Sequence, residues 1–342
     1  MKQNLVLDFN HKIGIHCAST AMRDILEYYG LVLTEELCFG LGCGLSFVYW
    51  RSPGMFMLLQ GRGNQLEKDI CEFLGLPIDY IKTEHSEFGW QLTEKYLEQG
   101  IPVIVEVDMS YLDYLRERFC LVEGYMLGEH KVVVVGFDKF QEVVYLSDYA
   151  WKNFKAVSFN DLRKARNSKS KIAAPKNAIY AVYPFPRHRS LSIALKNAMR
   201  VTCHRMLYSW DPAIGVGAVR KFANEVTRWP RIMDESRLRT NAFISHMMLE
   251  KVGTGGGAFR RIYSRFLQQA ADILHIRQLN SLAREYGDLA KLWTNIADLF
   301  AVSARSPESG IFSGEQTVRE LLTEVALREE QAIRNLNKYV NE

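Results

Sequence analysis

Residues 130–148 read HKVVVVGFDKFQEVVYLSD, and this stretch decides the fold. Two apolar runs, KVVVVGF at 131–137 and EVVYLSD at 142–148, flank a polar turn around Lys139 and Phe140. Runs of β-branched residues bounded by turn residues predict a hairpin, and one as apolar as VVVV predicts a strand buried on both faces. His130 opens the first strand and Asp148 closes the second. With the turn centred near residue 139, the two lie opposite each other on one face. Directly opposed residues have Cβ atoms about 4.5–5.5 Å apart. An Asp there can orient one imidazole nitrogen and leave the other to take a proton. A register slip of one residue would move Asp148 to the other face.

Working outward, IPVIVEV at 101–107 and AIYAVYP at 178–184 add two more strand signals. Upstream, HCASTAMRDILEYYG at 16–30 places apolar side chains at 21, 22, 25, 26 and 29, the spacing of a helix face. Gly30 is a natural stop for that helix. GNQLEKDICEFLG at 63–75 and QLTEKYLEQG at 91–100 predict further helices, and 161–176 a basic surface helix and loop. After PFPRHRS at 184–190 only helical periodicity remains, broken near 210–217, 229–236, 252–257 and 305–314. The boundary is expected near 187: an α+β domain over 1–186, then an all-α domain over 187–342. Trp210, Trp229 and Trp293 are expected to anchor the core of the helical domain.

A chain of 342 residues, 48% hydrophobic and 24% charged, is long enough for two cores and too apolar to be disordered. No apolar run approaches the roughly 20 residues that span a bilayer. The N-terminus MKQNLVLDFN lacks the pattern of a secretory signal, so a cytoplasmic protein is expected, with no membrane partner. Six cysteines at 17, 38, 43, 71, 120 and 203 have neither a disulfide framework nor zinc-site spacing, and no metal is expected. Residues 1–185 carry 20 basic and 23 acidic residues; 186–342 carry 23 and 16. The excess lies in 187–239, with 11 basic against 4 acidic, a field suited to steering an acidic partner. It lacks the aromatic interleaving of a nucleic-acid surface, and no nucleic-acid partner is expected.

Cys17 stands at the first turn of the helix predicted at 16–30. Free N–H groups and the positive dipole end there stabilise a thiolate, and an oxyanion developing on a carbonyl. A cysteine at a helix start, followed far downstream by a base and its orienter on adjacent strands, is the order of papain-like cysteine enzymes. Cys17, His130 and Asp148 are therefore the candidate catalytic residues. Cys43, inside GLGCGL at 40–45, is the rival nucleophile but has no helix start around it. That run is spaced GxGxG and is not a dinucleotide fingerprint. Many papain-like enzymes carry a Gln six residues before the cysteine as an oxyanion donor. Here that position is His11, so His11 and Asn10 are the candidate donors. His16 is expected to point away from the chemistry.

The runs HCASTAMRDILEYYG and LTEELCFGLGCGLSFVY, with GEHKVVVVGFD and VVYLSD, resemble the N-terminal domain of the butirosin biosynthesis protein H family. The later run MLEKVGTGGGAFRRIYSRFLQQAADIL resembles the helical domain commonly fused to it. The resemblance spans most of the chain. It implies a papain-like fold that makes bonds. The butirosin member moves an aminoacyl group from a carrier-protein thioester onto an aminoglycoside amine, and a similar protein in a thioamide pathway joins carrier-bound acyl units into amides. By position, Cys17 would be the nucleophile, His130 the acid/base and Asp148 its orienter.

The resemblance further implies an acyl or peptidyl carrier protein as partner, a small-molecule amine as acceptor and a role in antibiotic or other natural-product biosynthesis. No resident cofactor is expected, since the carrier supplies the phosphopantetheine arm. The helical domain would dock the carrier and cover the site. Gly42 and Gly44 are candidates for close backbone approach near the cleft. Gly255, Gly256 and Arg260, in GTGGGAFRRIYSRFL, are candidates to cradle the pantetheine phosphate. The alternative for that loop is a tight turn letting helices approach closely. Two rival functions are a peptidase, amidase or thioesterase with the same residues, and a non-catalytic protein that binds the carrier.

Overall fold

The computed structural model describes residues 2–51, 57–119, 129–170 and 173–341. The strands are β1 (Asn4–Val6), β2 (Leu45–Arg51), β3 (Met57–Arg62), β4 (Ile78–Ile81), β5 (Val103–Val107), β6 (His130–Asp138), β7 (Val143–Ser147), β8 (Lys155–Ser158) and β9 (Ile179–Val182). In the first 190 residues the helices are α1 (Cys17–Tyr28), α2 (Glu35–Leu41), α3 (Leu66–Leu74), α4 (Ser86–Glu98), α5 (Asp113–Phe119) and α6 (Phe159–Arg166). Then come α7 (Leu191–Leu207), α8 (Val216–Glu225), α9 (Glu235–His246), α10 (Arg260–Leu274), α11 (Gln278–Arg305) and α12 (Glu315–Asn341). The fold class is α+β with antiparallel sheets. No helix among the described residues is long and apolar enough to cross a membrane.

The chain forms two compact units, one of residues 1–38 and 74–188, the other of 39–73 and 189–342. In the first, the strands run in the order β4-β9-β5-β6-β7-β8, antiparallel throughout. β6 is buried along its whole length, as its VVVV run requires. β1 pairs with the far end of β6 at Asn4↔Asp138 through Val6↔Gly136. Gly136 permits that approach: a Cβ on it would lie 2.3 Å from the Leu5 carbonyl oxygen. α1 packs across β6, burying Ala18, Ala21, Met22, Ile25 and Leu26. It stops at Gly30, which takes a φ of +88° while its N–H and that of Leu31 bond to Glu27 and Leu26.

The second unit sets the β2–β3 hairpin among α7–α12. Residues 39–73, expected in the first domain, belong here, and the reason lies in one buried arginine. Arg260, wholly buried, pairs in two-pronged fashion with Glu329 at 2.7 Å through both Nε and Nη2. Its Nη1 donates to the carbonyls of Ser46 (2.9 Å), Gly61 (3.0 Å) and Ala258 (2.7 Å). A charge this deep is tolerable only with its hydrogen bonds met, and two of its acceptors are on the hairpin. Phe47 stacks on Trp293 at 4.8 Å and Tyr49 packs against Phe222 at 5.4 Å, so the hairpin also supplies core aromatics. Trp229 and Trp293 are fully buried as expected, but Trp210 is 94% exposed. It lies on the connection between α7 and α8, where no helix face turns it inward.

Removing Glu329 leaves the Arg260 charge buried without a counter-ion. Glu329→Ala is expected to cost about 3–5 kcal/mol of stability. Urea unfolding followed by circular dichroism checks this; a cost under about 1 kcal/mol would mean that the pair does not organise the unit.

Candidate active site

α1 begins at Cys17 because His16, in extended conformation, caps it: the His16 side chain accepts from the Ser19 N–H, with Nδ1 at 3.4 Å. The loop before the cysteine closes on a buried carboxylate, Glu35. It accepts from the N–H groups of Ile15 (2.9 Å) and His16 (2.7 Å) and from the hydroxyls of Ser19 (3.0 Å) and Thr20 (3.1 Å). An anion at a helix N-terminus is favourably placed against the dipole. Gly14 is needed in this loop because a Cβ on it would fall 1.9 Å from Thr20 Oγ1 and 2.8 Å from Glu35 Oε2.

The candidate base lies on the sheet. His130, the first residue of β6, pairs with Val107 of β5 and is buried. Its Nε2 lies 2.9 Å from Asp148 Oδ2. The register is not the one expected. The turn occupies 139–142 and a bulge falls between Val134 and Gly136, so Val133 faces Ser147 and Val134 faces Leu146. Continued by one step, that register sets Asp148 across from Val132. His130 is then a diagonal neighbour two residues along, on the same face, so parity survives and the side chains reach each other. Asp148 Oδ2 also accepts from the Tyr114 hydroxyl of α5 at 2.8 Å.

The Cys17 thiol interacts with both His130 and His16, which act on its ionisation. As His130 Nε2 is turned to Asp148, Nδ1 is the nitrogen left for the sulfur. Burial alone would raise the thiol, but the charge of His16 and the contacts with His130 bring it well below its ordinary value. Burial alone would lower His130; the Asp148 charge and hydrogen bond, with the Cys17 contact, push it up to about 10. The arrangement therefore favours the thiolate of Cys17 beside a protonated His130. Burial raises Cys43, Cys71 and Cys203 to about 12 and Cys38 still further. Cys43, the rival nucleophile, gives its thiol to the Ala198 carbonyl at 3.3 Å. Cys120 lies outside the described residues.

Several candidates are placed elsewhere. His11 has Nδ1 2.7 Å from Asp24 Oδ2 and Nε2 2.7 Å from the Trp151 carbonyl oxygen, so both ring nitrogens face acceptors and neither can serve an oxyanion. Asp24 is two turns along α1, about 10 Å of rise from Cys17. Asn10 donates to Glu27, farther along the same helix. What His11 does is clasp the loop after Asp148, helped by the Gly14 N–H on the Tyr149 carbonyl at 2.8 Å. Arg260 has its donors occupied by Glu329 and carbonyls. Gly256 and Gly257 donate to Thr254 and to Glu250, so the glycine loop is closed on its own carboxylate, with Gly255 and Gly256 both at positive φ. Gly42 and Gly44 are packing glycines: a Cβ would meet Leu66 at 2.3 Å and the Phe39 ring at 2.6 Å.

Residues 16–149 match the family described as Butirosin biosynthesis protein H, N-terminal, from one residue before Cys17 to one after Asp148. Residues 160–336 match a Domain of unknown function (DUF4872). The second match covers more than half of the chain, which therefore belongs to the DUF4872 family, while its N-terminal region is similar to the butirosin biosynthesis protein H N-terminal domain. No curated protein matches it. The family reading and the side-chain geometry therefore meet on the same stretch.

Sequence reasoning missed His16, Glu35 and Tyr114. Against expectation, His16 lies against the sulfur, because its capping bond to Ser19 turns the ring over the helix start. Tyr114 and Glu35 carried no signal, since a single polar residue in an unperiodic stretch does not announce its partner.

Alkylation of Cys17 by iodoacetamide should be fast at neutral pH. Its rate should fall on the acid side where the thiolate is protonated and change again near pH 10, where His130 loses its proton. In His130→Ala the acid limb should move upward toward the ordinary thiol range near 8.5. A wild-type profile with a single ordinary thiol ionisation would contradict the ion pair. Gly14→Ala should cost about 1–3 kcal/mol in urea unfolding, because the loop has no room for a methyl.

Proposed function

We propose that this protein is a cysteine-dependent acyltransferase, an amide synthase of natural-product biosynthesis working on a papain-like catalytic unit. The single observation that carries the reading is a half-buried thiol at a helix start, held as thiolate by His16 and by a His130 anchored to Asp148. A cysteine-bearing helix packed on an antiparallel sheet whose neighbouring strands bring His130 and Asp148 supports the papain-like assignment.

The acyl donor is a thioester on the phosphopantetheine arm of an acyl or peptidyl carrier protein. The Cys17 thiolate attacks its carbonyl, and the C–S bond to the arm breaks. His130 gives its proton to the departing pantetheine sulfur, leaving acyl-Cys17 and a neutral imidazole. Thioester exchange is nearly balanced, so the acyl group stays activated. An amine then attacks acyl-Cys17, and His130 takes the amine proton. Collapse releases the amide and restores the thiolate and imidazolium. With His11 and Asn10 engaged elsewhere, the backbone N–H groups at the start of α1 are the donors assigned to the oxyanion. The net positive charge of 186–342 suits an acidic carrier.

The test is intact-mass analysis after exposure to acyl- and aminoacyl-pantetheine thioesters. Wild type should gain an acyl mass that Cys17→Ala never gains and that amines discharge faster than water. Discharge mainly by water would replace this reading with a hydrolase. Full pathway activity in Cys17→Ala would replace it with a non-catalytic carrier-binding protein. His130→Ala should slow acylation by about 10²–10⁴-fold. Asp148→Asn should be milder, because a carboxamide oxygen still accepts from Nε2. Its alkaline limb should drop below pH 10 as the carboxylate charge on His130 is lost.

A further inference from the structure

Among the described residues, Arg166 is a buried cation with no anion beside it. It ends α6, is 2% exposed, and its guanidinium makes one hydrogen bond among the described residues, from Nη2 to the Gly89 carbonyl at 3.3 Å. Its Nε is buried with no partner among the described residues. No carboxylate of the described residues pairs with it, and burial alone brings its pKa down to about 10. Such a charge is costly unless something meets it, and Arg260 shows what a satisfied buried arginine in this chain looks like.

Arg166 lines a cavity of about 440 Å³ between α4 and α6. Trp90 and Phe159 form much of its wall, their rings edge-to-face at 4.8 Å. Arg163 adds a second positive charge, and Asn177 fixes the end of α6 by donating its N–H to the Arg166 carbonyl at 2.8 Å. Glu87, exposed, is the acidic residue at this cavity. Trp90 also meets Phe137 of β6 at 5.9 Å. Phe137 is seven residues from His130, roughly 20 Å along a strand, so this cavity is not where Cys17 reacts.

We propose that the α4–α6 cavity binds a small molecule carrying an oxyanion, carboxylate or phosphate, on a flat apolar body. Arg166 is the counter-charge, and Trp90 and Phe159 take the body. The site is independent of the acyl-transfer reading and needs no covalent step.

The probes are phenyl phosphate, benzoate and inorganic phosphate, titrated into the full chain at constant ionic strength, with binding read by calorimetry and thermal shift. Phenyl phosphate or benzoate should bind and raise the melting temperature; the stronger of the two names the oxyanion, and inorganic phosphate should be weaker than phenyl phosphate. Arg166→Met should weaken binding about ten- to a hundredfold. It should not lower the urea midpoint of the free protein, since an apolar side chain of similar length replaces an unpaired charge. Cys17→Ala should bind like wild type. Binding by none of the probes, unchanged affinity in Arg166→Met, or loss of binding in Cys17→Ala would overturn the proposal. If Arg166→Met does not fold, the ligand-induced change in tryptophan fluorescence decides. It should vanish in Trp90→Phe while the thermal shift remains, and an unaltered fluorescence change would overturn the assignment.

Discussion

The proposed thiolate of Cys17, half-withdrawn from water, needs donors around it, and the groups near it in the first unit meet that need. The Cys17 sulfur meets His16 from its own chain neighbour and His130 from β6. His130 can stay cationic while buried only because Asp148 lies 2.9 Å away, and Tyr114 shares the same carboxylate oxygen. Asp148 in turn sits at the head of a loop held by the Gly14 N–H and by the His11 ring through Trp151. Each group is tolerable inside the protein because of the next, so the chain from Glu35 to Asp148 acts as one electrostatic unit.

The same dependence bears on aminolysis. While Cys17 is a thiolate, two anions, its sulfur and Asp148, favour protonated His130. In the proposed cycle, acylation would remove the sulfur charge and deliver the proton to the leaving thiol, so that only Asp148 would then favour the imidazolium. His130 becomes a better proton acceptor at the step in the proposed cycle where an amine must be deprotonated. The pairing thus changes with the covalent state of Cys17, and no conformational change is needed to switch His130 from acid to base.

Much of the first unit was legible because β6 and α1 are strongly patterned: the VVVV run and the apolar spacing at 21, 22, 25, 26 and 29 leave little choice of element. The proximity of His130 and Asp148 was legible for a subtler reason. The turn was misplaced and the bulge at Val134/Gly136 was unseen, but the combined displacement was two residues, which preserves the face. An error of one would have separated them. The assignment of 39–73 was not legible. Hairpin strands look alike whichever core they enter, and their allegiance is set by Arg260, some two hundred residues downstream, with its partner Glu329 farther still. Likewise, His11 stands where a papain-like donor is expected, and only the positions of Asp24 and Trp151 reveal it as a clasp.

The two buried arginines sharpen the distinction between structure and site. Arg260 uses all three nitrogens on a carboxylate and three carbonyls, and its surroundings are closed at Gly61, where a Cβ would lie 2.4 Å from the Ala258 carbonyl oxygen. Arg166 is also buried, yet among the described residues its guanidinium makes a single hydrogen bond, to the Gly89 carbonyl, and it lines an aromatic-walled cavity. A fold that merely needed volume there would be served better by an apolar chain, because desolvating a guanidinium without an anion opposes folding. The unpaired charge is therefore best explained by a ligand that supplies the missing anion, in the same way that Glu329 supplies one to Arg260 from within the chain.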